Sequence, residues 1–276
     1  MTDIIVNHAR DYSTNPNFAG TGITSIYTGI TTNNNNFLYS PDFSTCTGSA
    51  YDNVKNFYGS TNIEMSGERE FDYQIAETSG YAHVPGVTVW HHRFITNAYN
   101  GWCTMQLVGF TLHQKTCPHT GACYQYTQYT GKPYKGVQNG KLLLNAEHKD
   151  FTNTKRELAE WEYMTGMHIP KKLRALYTGR CSWKKGMEFK NPHSTIFIDF
   201  IFDLKRQNGE NTANVNLLTQ IWRQPNICCS QESFPVGTDP YGNILFSDKD
   251  GHLYFYDHEM NAKTDLEITL DELLIG

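Results

Sequence analysis

Residues 87–121 constrain the fold of this chain more than any other segment, and they read VTVWHHRFITNAYNGWCTMQLVGFTLHQKTCPHTG. The β-branched and aromatic run VTVW predicts a strand, Asn-Gly predicts a turn, and CTMQLVGF predicts a second strand that pairs back on the first. The next residues, TLHQKT, predict a short helix with Thr111 as its N-cap and with Pro118 beyond its end. The predicted order is strand, turn, strand and helix, which brings the end of the first strand close to the helix.

Four histidines in this window predict hydrolytic chemistry. His91 and His92 are adjacent on the first predicted strand, where neighbouring side chains point to opposite faces, so one can bind a metal while the other activates water. The spacing of His113 and His119 does not fit one helical face, which places His119 beyond the helix. Neutral imidazole suits both roles because its pKa near 6.5 lets it bind a metal or accept a proton near neutral pH. Phosphodiester hydrolysis needs an activated water and a cation beside the phosphate.

The elements WHHR, MQLV, LH and HTG occur in this order, and together they resemble the WHH branch of the HNH (ββα-metal) nucleases, which occur as toxin domains in bacteria. The resemblance covers residues 66–135 and implies a ββα-metal module. Three features differ from the family pattern: Gly109 stands where proline is usual, and Ala122 stands where a second glycine is usual. The gap from His113 to His119, which contains Cys117 and Pro118, is one residue longer than in the family.

The resemblance also implies roles for individual residues. His91, His113 and His119 would bind a divalent metal ion (Mg²⁺, Mn²⁺ or Zn²⁺), and His92 would be the general base that activates water. Gln106 would stand near the position of the residue that orients this base.

A structural zinc site is an alternative use of the same segment. Cys103, His113, Cys117, His119 and Cys123 offer the thiolate and imidazole ligands that tetrahedral zinc favours. The spacing differs from that of a zinc ribbon because the sequence contains no CxxC pair. On this alternative the segment is a zinc-stabilised module without hydrolytic activity.

The sequence changes character after residue 151. TKRELAEWEYMTGM predicts an amphipathic helix with Leu158, Trp161 and Met164 on one face, and Thr154 with Glu157 predicts a capping box at its start.

A second short helix and several strands follow. IPKKLRALYTG predicts a helix with Pro170 just inside its start and Gly179 at its C-cap. STIFIDFIFDL and DLEITL predict strands, and NILFSDKDGHLYFYDHE predicts an antiparallel hairpin that turns at DKDG. DELLIG predicts a short final helix.

This second half is similar to another known family. IPKKLRALYTG, LTQIW, SFPVGTDPYGNILFSDKDGHLYFYDHE and LDELL together resemble the SMI1/KNR4 (SUKH) superfamily. The resemblance implies an α+β binding domain, and many members of that superfamily are immunity proteins that neutralise nuclease toxins. It implies structural or binding-surface roles for Asp239, Asp257, His258 and Glu259, although these residue types also occur in catalytic sites.

The predicted fold class is α+β, with four parts along the chain. Residues 1–65 are a polar, loop-rich N-terminal extension that is either ordered, with the short strands SIYTGI and NFLYS, or a partly disordered leader. Residues 66–135 are the nuclease-like module. Residues 136–151 are a linker, and residues 152–276 are the SUKH-like domain.

The charge distribution differs between the two halves. The net charge is -5 and the pI is about 6.1, whereas a free nucleic-acid-binding protein is more often basic. Arg93, Lys115, Lys132 and Lys135 lie near the predicted site, while the last part of the chain is rich in Asp and Glu. One half therefore suits contact with phosphate, and the other suits repelling or mimicking it.

The cysteine content predicts a reducing compartment, which favours a cytoplasmic location. The seven cysteines are an odd number, and the adjacent Cys228 and Cys229 do not suit a disulfide framework. The sequence shows no signal-peptide pattern and no run of the roughly 20 apolar residues that a membrane span requires.

These features together predict a metal-dependent endonuclease joined to an immunity-like domain that inhibits it in cis or between two chains. The expected partner is nucleic acid, with DNA favoured over RNA, and no membrane is expected. The alternative is a catalytically inactive binding or regulatory protein of the toxin-immunity class.

Overall fold

A computed structural model gives the fold of the chain, which has 276 residues. The structure describes residues 9–11, 24–31, 37–45, 57–97, 101–116, 119, 121–132, 134, 141–144, 151–183, 188–190, 196–204, 214–215, 218, 233–258 and 262–275. The chain forms two compact units. Unit 1 consists of residues 1–137 with 258–260, and unit 2 consists of residues 138–257 with 261–276.

Three antiparallel strands form the first sheet of unit 1, in the order β1 (Ala9–Asp11), β2 (Thr24–Thr31) and β3 (Phe37–Asp42). The predicted strands SIYTGI and NFLYS are therefore confirmed. A single 3-10 turn, Phe43–Thr45, follows β3 directly and packs against the second sheet.

The second sheet of unit 1 contains the predicted hairpin. It has the order β4 (Phe57–Glu64), β6 (Trp102–Gly109) and β5 (Thr88–Asn97), and both pairings are antiparallel. His91 lies opposite Gln106 in this register. Strand β6 is central and buried along most of its length because helices and the 3-10 turn cover the sheet.

The described residues of unit 1 also form the helices α1 (Arg69–Glu77), α2 (Phe110–Lys115) and α3 (Ala122–Thr130). Helix α2 follows β6 without a loop, and its N-cap is Gly109. The predicted N-cap Thr111 is wrong, because Gly109 carries the extended backbone that ends β6 and Phe110 is already helical. Helix α3, which contains three tyrosines, contacts β5.

Unit 2 begins its helical part with α4 (Lys155–Thr165), whose predicted capping box of Thr154 and Glu157 is confirmed. Leu158 and Trp161 are buried, but Met164 is 80% exposed, so its predicted place on the buried face is wrong. Each residue turns the helix by about 100°, and two successive three-residue steps therefore carry position 164 about 120° away from Leu158.

The second helix of unit 2 is α5 (Lys171–Tyr177), one residue shorter at each end than the sequence suggests. Pro170 is the N-cap residue and not the first helical residue, because its ψ of 140° is extended. Thr178 is the C-cap, and Gly179 follows it with a positive φ of 67°.

Over the described residues of unit 2, the strands form three sheets, and a short helix lies near the end of the chain. The strands and this helix have the following bounds. They are β7 (Lys141–Leu144), β8 (Ser182–Trp183), β9 (Glu188–Lys190), β10 (Ile196–Ile198), β11 (Phe200–Ile201), β12 (Phe234–Thr238), β13 (Ile244–Ser247), β14 (His252–Asp257), β15 (Ala262–Thr269), α6 (Leu270–Leu273) and β16 (Leu274–Ile275).

The main sheet of unit 2 is antiparallel with the order β11-β12-β13-β14-β15, and it contains the predicted β13–β14 hairpin. Strand β7 pairs with β9 and β10, so part of the predicted linker 136–151 is a strand. Asp239 closes the β12–β13 turn by accepting hydrogen bonds from the amides of Tyr241 and Asn243.

The predicted α+β class is confirmed by these helices and mainly antiparallel sheets. Within the described part of the chain, none of the helices combines the length and the apolar character that crossing a membrane requires.

Candidate metal centre and catalytic histidine

Three histidines of unit 1 lie together in its interior. His91 is on β5, His113 is on α2, and His119 follows α2, as the sequence predicts. All three are buried, and their candidate ligand atoms lie within 4.8 Å of one another. Ligands of one zinc ion, each bound at about 2.1 Å, are roughly 3 to 4 Å apart, so small side-chain movements would bring these atoms into coordination distance.

The hydrogen bond of His91 determines which of its nitrogens stays available. Its Nε2 lies 3.3 Å from the backbone carbonyl of Pro41, which can only accept, so Nε2 carries the proton. The Nδ1 atom is buried and has no hydrogen-bond partner in the described part of the chain. A ligating histidine commonly donates its second ring N–H to a carbonyl in this way.

Thr116 gives His119 a matching arrangement. The hydroxyl of Thr116 donates to the carbonyl of His113 at 2.7 Å and lies 2.9 Å from Nδ1 of His119. Because the single hydroxyl proton is already used, its oxygen accepts from Nδ1–H. Nε2 of His119 then carries the lone pair that could bind a metal, and it is buried without a hydrogen-bond partner among the described residues.

Burial keeps these imidazoles neutral, which is the form that binds metal. Burial lowers the pKa of His119 from 6.5 to about 4. Burial, followed by the charges of neighbouring histidines, lowers the pKa values of His91 and His113 well below the ordinary value. At neutral pH all three imidazoles are therefore in the unprotonated form, which can bind a cation.

The 3-10 turn after β3 packs over this group. The Phe43 ring centroid lies 5.0 Å from that of His91 and 6.0 Å from that of His113. Gln106 fixes the turn, because its Oε1 accepts from the Phe43 amide at 3.0 Å and its Nε2 donates to Asp42 at 2.8 Å. Arg93, expected from the sequence to lie near phosphate, forms an ion pair with Asp42.

His92 has a different set of partners from His91. Its Nε2 lies 3.3 Å from Oδ2 of Asp72 and 3.3 Å from the hydroxyl of Tyr134. The Tyr134 hydroxyl also donates to Asp72. The neighbouring histidines thus enter separate hydrogen-bond networks, as expected for adjacent residues of one strand.

A fourth histidine, His258, lies beside the three. It groups with unit 1, is buried, and has its ring centroid 4.6 Å from His113 and 5.0 Å from His119. Burial and the charges of those two histidines lower its pKa. Of the structural and binding-surface roles that the SUKH resemblance implies for His258, this burial favours the structural one.

The predicted alternative with cysteine ligands receives no support from the described residues. The group there that could hold a metal ion consists of His91, His113 and His119, and the buried Cys103 and Cys123 are not part of it. Cys117, the remaining member of the predicted set, lies outside the described residues.

Residues 84–129 match a nuclease family. The family is described as a nuclease of the HNH/ENDO VII superfamily with a conserved WHH, and Trp90, His91 and His92 supply these letters. The match supports a nuclease, and therefore a hydrolase that acts on nucleic acid, over this segment. Nucleases of this superfamily use divalent metals, and the buried histidine group could hold one. No curated protein and no solved structure matches the chain.

Several residues of the site were not predicted from the sequence. Asp72 and Tyr134 contact the ring of His92, while Pro41 and Thr116 contact His91 and His119 through a backbone carbonyl and a hydroxyl. One local signal was available for Thr116, because a threonine three residues before a ligand at a helix end can orient it. The other contacts join segments that are distant in sequence.

Proposed function

We propose that the chain is a metal-dependent endonuclease of the HNH type. The observation that carries this proposal is the convergence of three buried, neutral histidines next to His92, in a segment that matches a nuclease family. The geometry supports a site for one cation beside one base. These are the two components that phosphodiester hydrolysis requires.

The residues that would hold the metal are His91 through Nδ1, His119 through Nε2, and His113. The free nitrogen atoms of His91 and His119 fit a metal because burial without a partner is costly for a polar atom. An all-imidazole set suits Zn²⁺ better than Mg²⁺, which prefers oxygen ligands. When bound, a divalent cation supplies the positive charge that stabilises the scissile phosphate and the leaving oxygen.

His92 would act as the general base. It would take a proton from the attacking water, and Asp72 would stabilise the resulting imidazolium because the carboxylate contacts the ring at Nε2. The separate networks of His91 and His92 would let one side chain bind the metal while its neighbour takes part in proton transfer.

The second part of the proposal concerns residues 152–276. We propose that this SUKH-like part inhibits the nuclease in cis or between two chains. Its sequence resemblance and the acidic character of the last forty residues of the chain support this role. Cutting the chain between the units tests the idea without removing residues. A protease site placed within residues 138–140 leaves both pieces present, with residues 258–260 of unit 1 carried on the C-terminal piece.

Cutting should raise nuclease activity, since a covalent link no longer keeps the inhibitor at high local concentration. A cut protein that stays folded, separates into its two pieces and is no more active than the intact chain would contradict inhibition by the second part.

Cleavage of nucleic acid by the full chain tests the nuclease proposal. Plasmid DNA and total RNA are incubated with the protein, intact and cut, in Mg²⁺, Mn²⁺, Zn²⁺ or EDTA. We expect metal-dependent cleavage, of DNA in preference to RNA, that His92→Ala reduces by about 10²- to 10⁴-fold. His168→Ala is the matched control because the side chain of His168 is 97% exposed.

The burial of the site favours a second candidate function. His92 is only 2% exposed and His113 is fully buried, whereas a working site must admit water and a phosphate. A catalytically inactive binding or regulatory protein needs no exposed catalytic site, so this function would account for the burial of His92 and His113. Metal uptake by the folded protein with no cleavage of either polymer, before or after the cut, would support this candidate over the nuclease.

A further inference from the structure

We propose that Asp72 is the positioning residue for His92, and that Tyr134 holds Asp72 in place. This inference rests on the proposed nuclease function and deepens it. It assigns a carboxylate outside the matched residues 84–129 to the general base.

The geometry begins with two donors that share one carboxylate oxygen. Oδ2 of Asp72 lies 3.3 Å from Nε2 of His92, and the Tyr134 hydroxyl donates to the same Oδ2. An ionised carboxylate only accepts hydrogen bonds, so Nε2 of His92 must donate. The Tyr134 oxygen, 3.3 Å from Nε2, can accept part of the same hydrogen bond.

The carboxylate itself is fixed from the other side. Oδ1 of Asp72 accepts a 2.7 Å hydrogen bond from the amide of Ser66, and Asp72 lies in the first turn of α1. The positive end of a helix dipole lies at this first turn and stabilises a negative charge there. Asp72 is completely buried, where a carboxylate persists only with such partners.

The pKa of Asp72 agrees with a charged, fully bonded carboxylate. Burial alone would raise this pKa, but the hydrogen bond and charge of His92, and the hydrogen bonds of Tyr134 and Ser66, bring it below its ordinary value. Burial and the negative charges around it raise the pKa of Tyr134 well above 10, so its hydroxyl keeps the proton that it donates.

This arrangement selects one tautomer of neutral His92. With the proton held on Nε2, the lone pair of the ring is on Nδ1, and Nδ1 becomes the atom that accepts a proton from water. Asp72 would also stabilise the positive charge that the ring then acquires. Loss of the carboxylate should therefore slow the chemical step and leave substrate binding unchanged.

The geometry gives Gln106 a different role from the one the family resemblance implies. The side-chain hydrogen bonds of Gln106 go to the Phe43 amide and to Asp42. Asp72, whose carboxylate contacts the ring of His92, is the better candidate for orienting the base.

A double-mutant cycle on the full chain tests the inference by activity. We expect Asp72→Asn to lower kcat about 10- to 1000-fold without changing KM, since the loss cannot exceed the contribution of the base itself. In a His92→Ala background the same substitution should have no further effect, because Asp72 acts through His92. Glu70→Gln, on the exposed side of α1, is the matched control.

Nitrogen NMR of the His92 ring tests the inference without any need for cleavage. The ¹⁵N shifts distinguish the two neutral tautomers, and His92→Gln identifies the signals. We expect the Nε2–H form in the wild-type protein and a mixture of tautomers in Asp72→Asn. If Asp72→Asn does not fold, Tyr134→Phe retains the ring and should shift the Nε2 signal to a smaller extent.

The outcomes separate this inference from the nuclease proposal. An inactive wild-type protein with the Nε2–H tautomer, lost in Asp72→Asn, would support the positioning role and contradict the nuclease. Cleavage by a folded Asp72→Asn variant at the wild-type rate would overturn the inference, as would a wild-type Nδ1–H tautomer or an additive loss in the double mutant.

Discussion

At the scale of single residues, the partners of the histidines matter as much as the histidines themselves. The Pro41 carbonyl accepts a hydrogen bond from Nε2–H of His91, and the Thr116 hydroxyl oxygen accepts one from Nδ1–H of His119. Each ring is thereby left with one buried nitrogen that has no hydrogen-bond partner among the described residues. The proposed metal site therefore depends on two contacts, with Pro41 and with Thr116, that the order and spacing of the histidines do not reveal.

Thr116 offers a direct test of this dependence. Thr116→Val keeps the shape of the side chain but removes the acceptor for His119 Nδ1–H, so the free nitrogen of His119 is no longer fixed. We expect a 10- to 100-fold loss of Zn²⁺ affinity, the usual effect of removing such a partner, measured by competition with a chromogenic chelator.

Two further variants complete this test. Thr116→Ser should retain the affinity, and Thr130→Val, which removes a similar hydroxyl-to-carbonyl bond on the exposed end of α3, should not alter it. Equal affinities of Thr116→Val and the wild-type protein would show that Thr116 does not orient His119.

The buried histidines also predict how stability depends on pH. Their folded-state pKa values lie below 6.5, so below pH 6.5 the unfolded chain binds protons that the folded chain does not. The free energy of unfolding of the metal-free protein should therefore be largest above pH 6.5 and fall as the pH drops towards 4. His119 alone, with a pKa of about 4, corresponds to about 3 kcal/mol across this range.

Urea unfolding in EDTA at pH 7.5 and pH 5 measures this effect. Asp72, whose pKa is lowered from 3.8, loses its contribution only below this window, so it does not obscure the result. A free energy of unfolding at pH 5 equal to or above that at pH 7.5 would contradict the buried, neutral state of these histidines.

At the scale of elements, the central strand β6 connects the site to the 3-10 turn. Gln106 lies opposite His91 in the sheet, and its side chain bonds the turn that carries Phe43. The Phe43 ring in turn packs on His91 and His113. A substitution in β6 should therefore affect both stability and the shape of the metal site.

Gln106→Leu tests this connection. The substitution leaves the buried Phe43 amide without its acceptor, which should lower the free energy of unfolding by about 1 to 3 kcal/mol. Zn²⁺ affinity should fall as well. Thr104→Val on the same strand loses an exposed hydrogen bond to Asn62 and should change the stability by less than about 0.5 kcal/mol.

Chemical denaturation and chelator competition, applied to both variants, provide the comparison. If Gln106→Leu were as stable as Thr104→Val and bound Zn²⁺ like the wild-type protein, the turn would not depend on Gln106.

The elements themselves were largely predictable. The β5–β6 hairpin followed from β-branched residues around an Asn-Gly turn, and the capping box at Thr154 followed from local hydrogen-bonding groups. The wrong predictions concern features that tertiary packing determines. Gly109 is both the last residue of β6 and the N-cap of α2, which excludes Thr111 as the N-cap. Met164 does not lie on the buried face of α4.

At the scale of the whole molecule, the histidines of the site could be predicted from the sequence, whereas the residues that contact them could not. His91, His92, His113 and His119 lie in one short window with a recognisable order, so local sequence sufficed to find them. Their partners come from distant segments, such as Asp72, 20 residues away from His92, and Tyr134, 42 residues away. Such contacts arise from tertiary packing, which a single sequence does not specify by spacing.

The central claim is that one histidine of the pair binds metal and its neighbour activates water. The most direct measurement compares bound metal and cleavage rate for His91→Ala and His92→Ala, in the full chain before and after the cut between the units. We predict that His91→Ala loses both metal and cleavage, whereas His92→Ala retains its metal and loses about 10²- to 10⁴-fold in rate. A His92→Ala protein that cleaves at the wild-type rate, or a His91→Ala protein that binds metal like the wild type, would contradict this account.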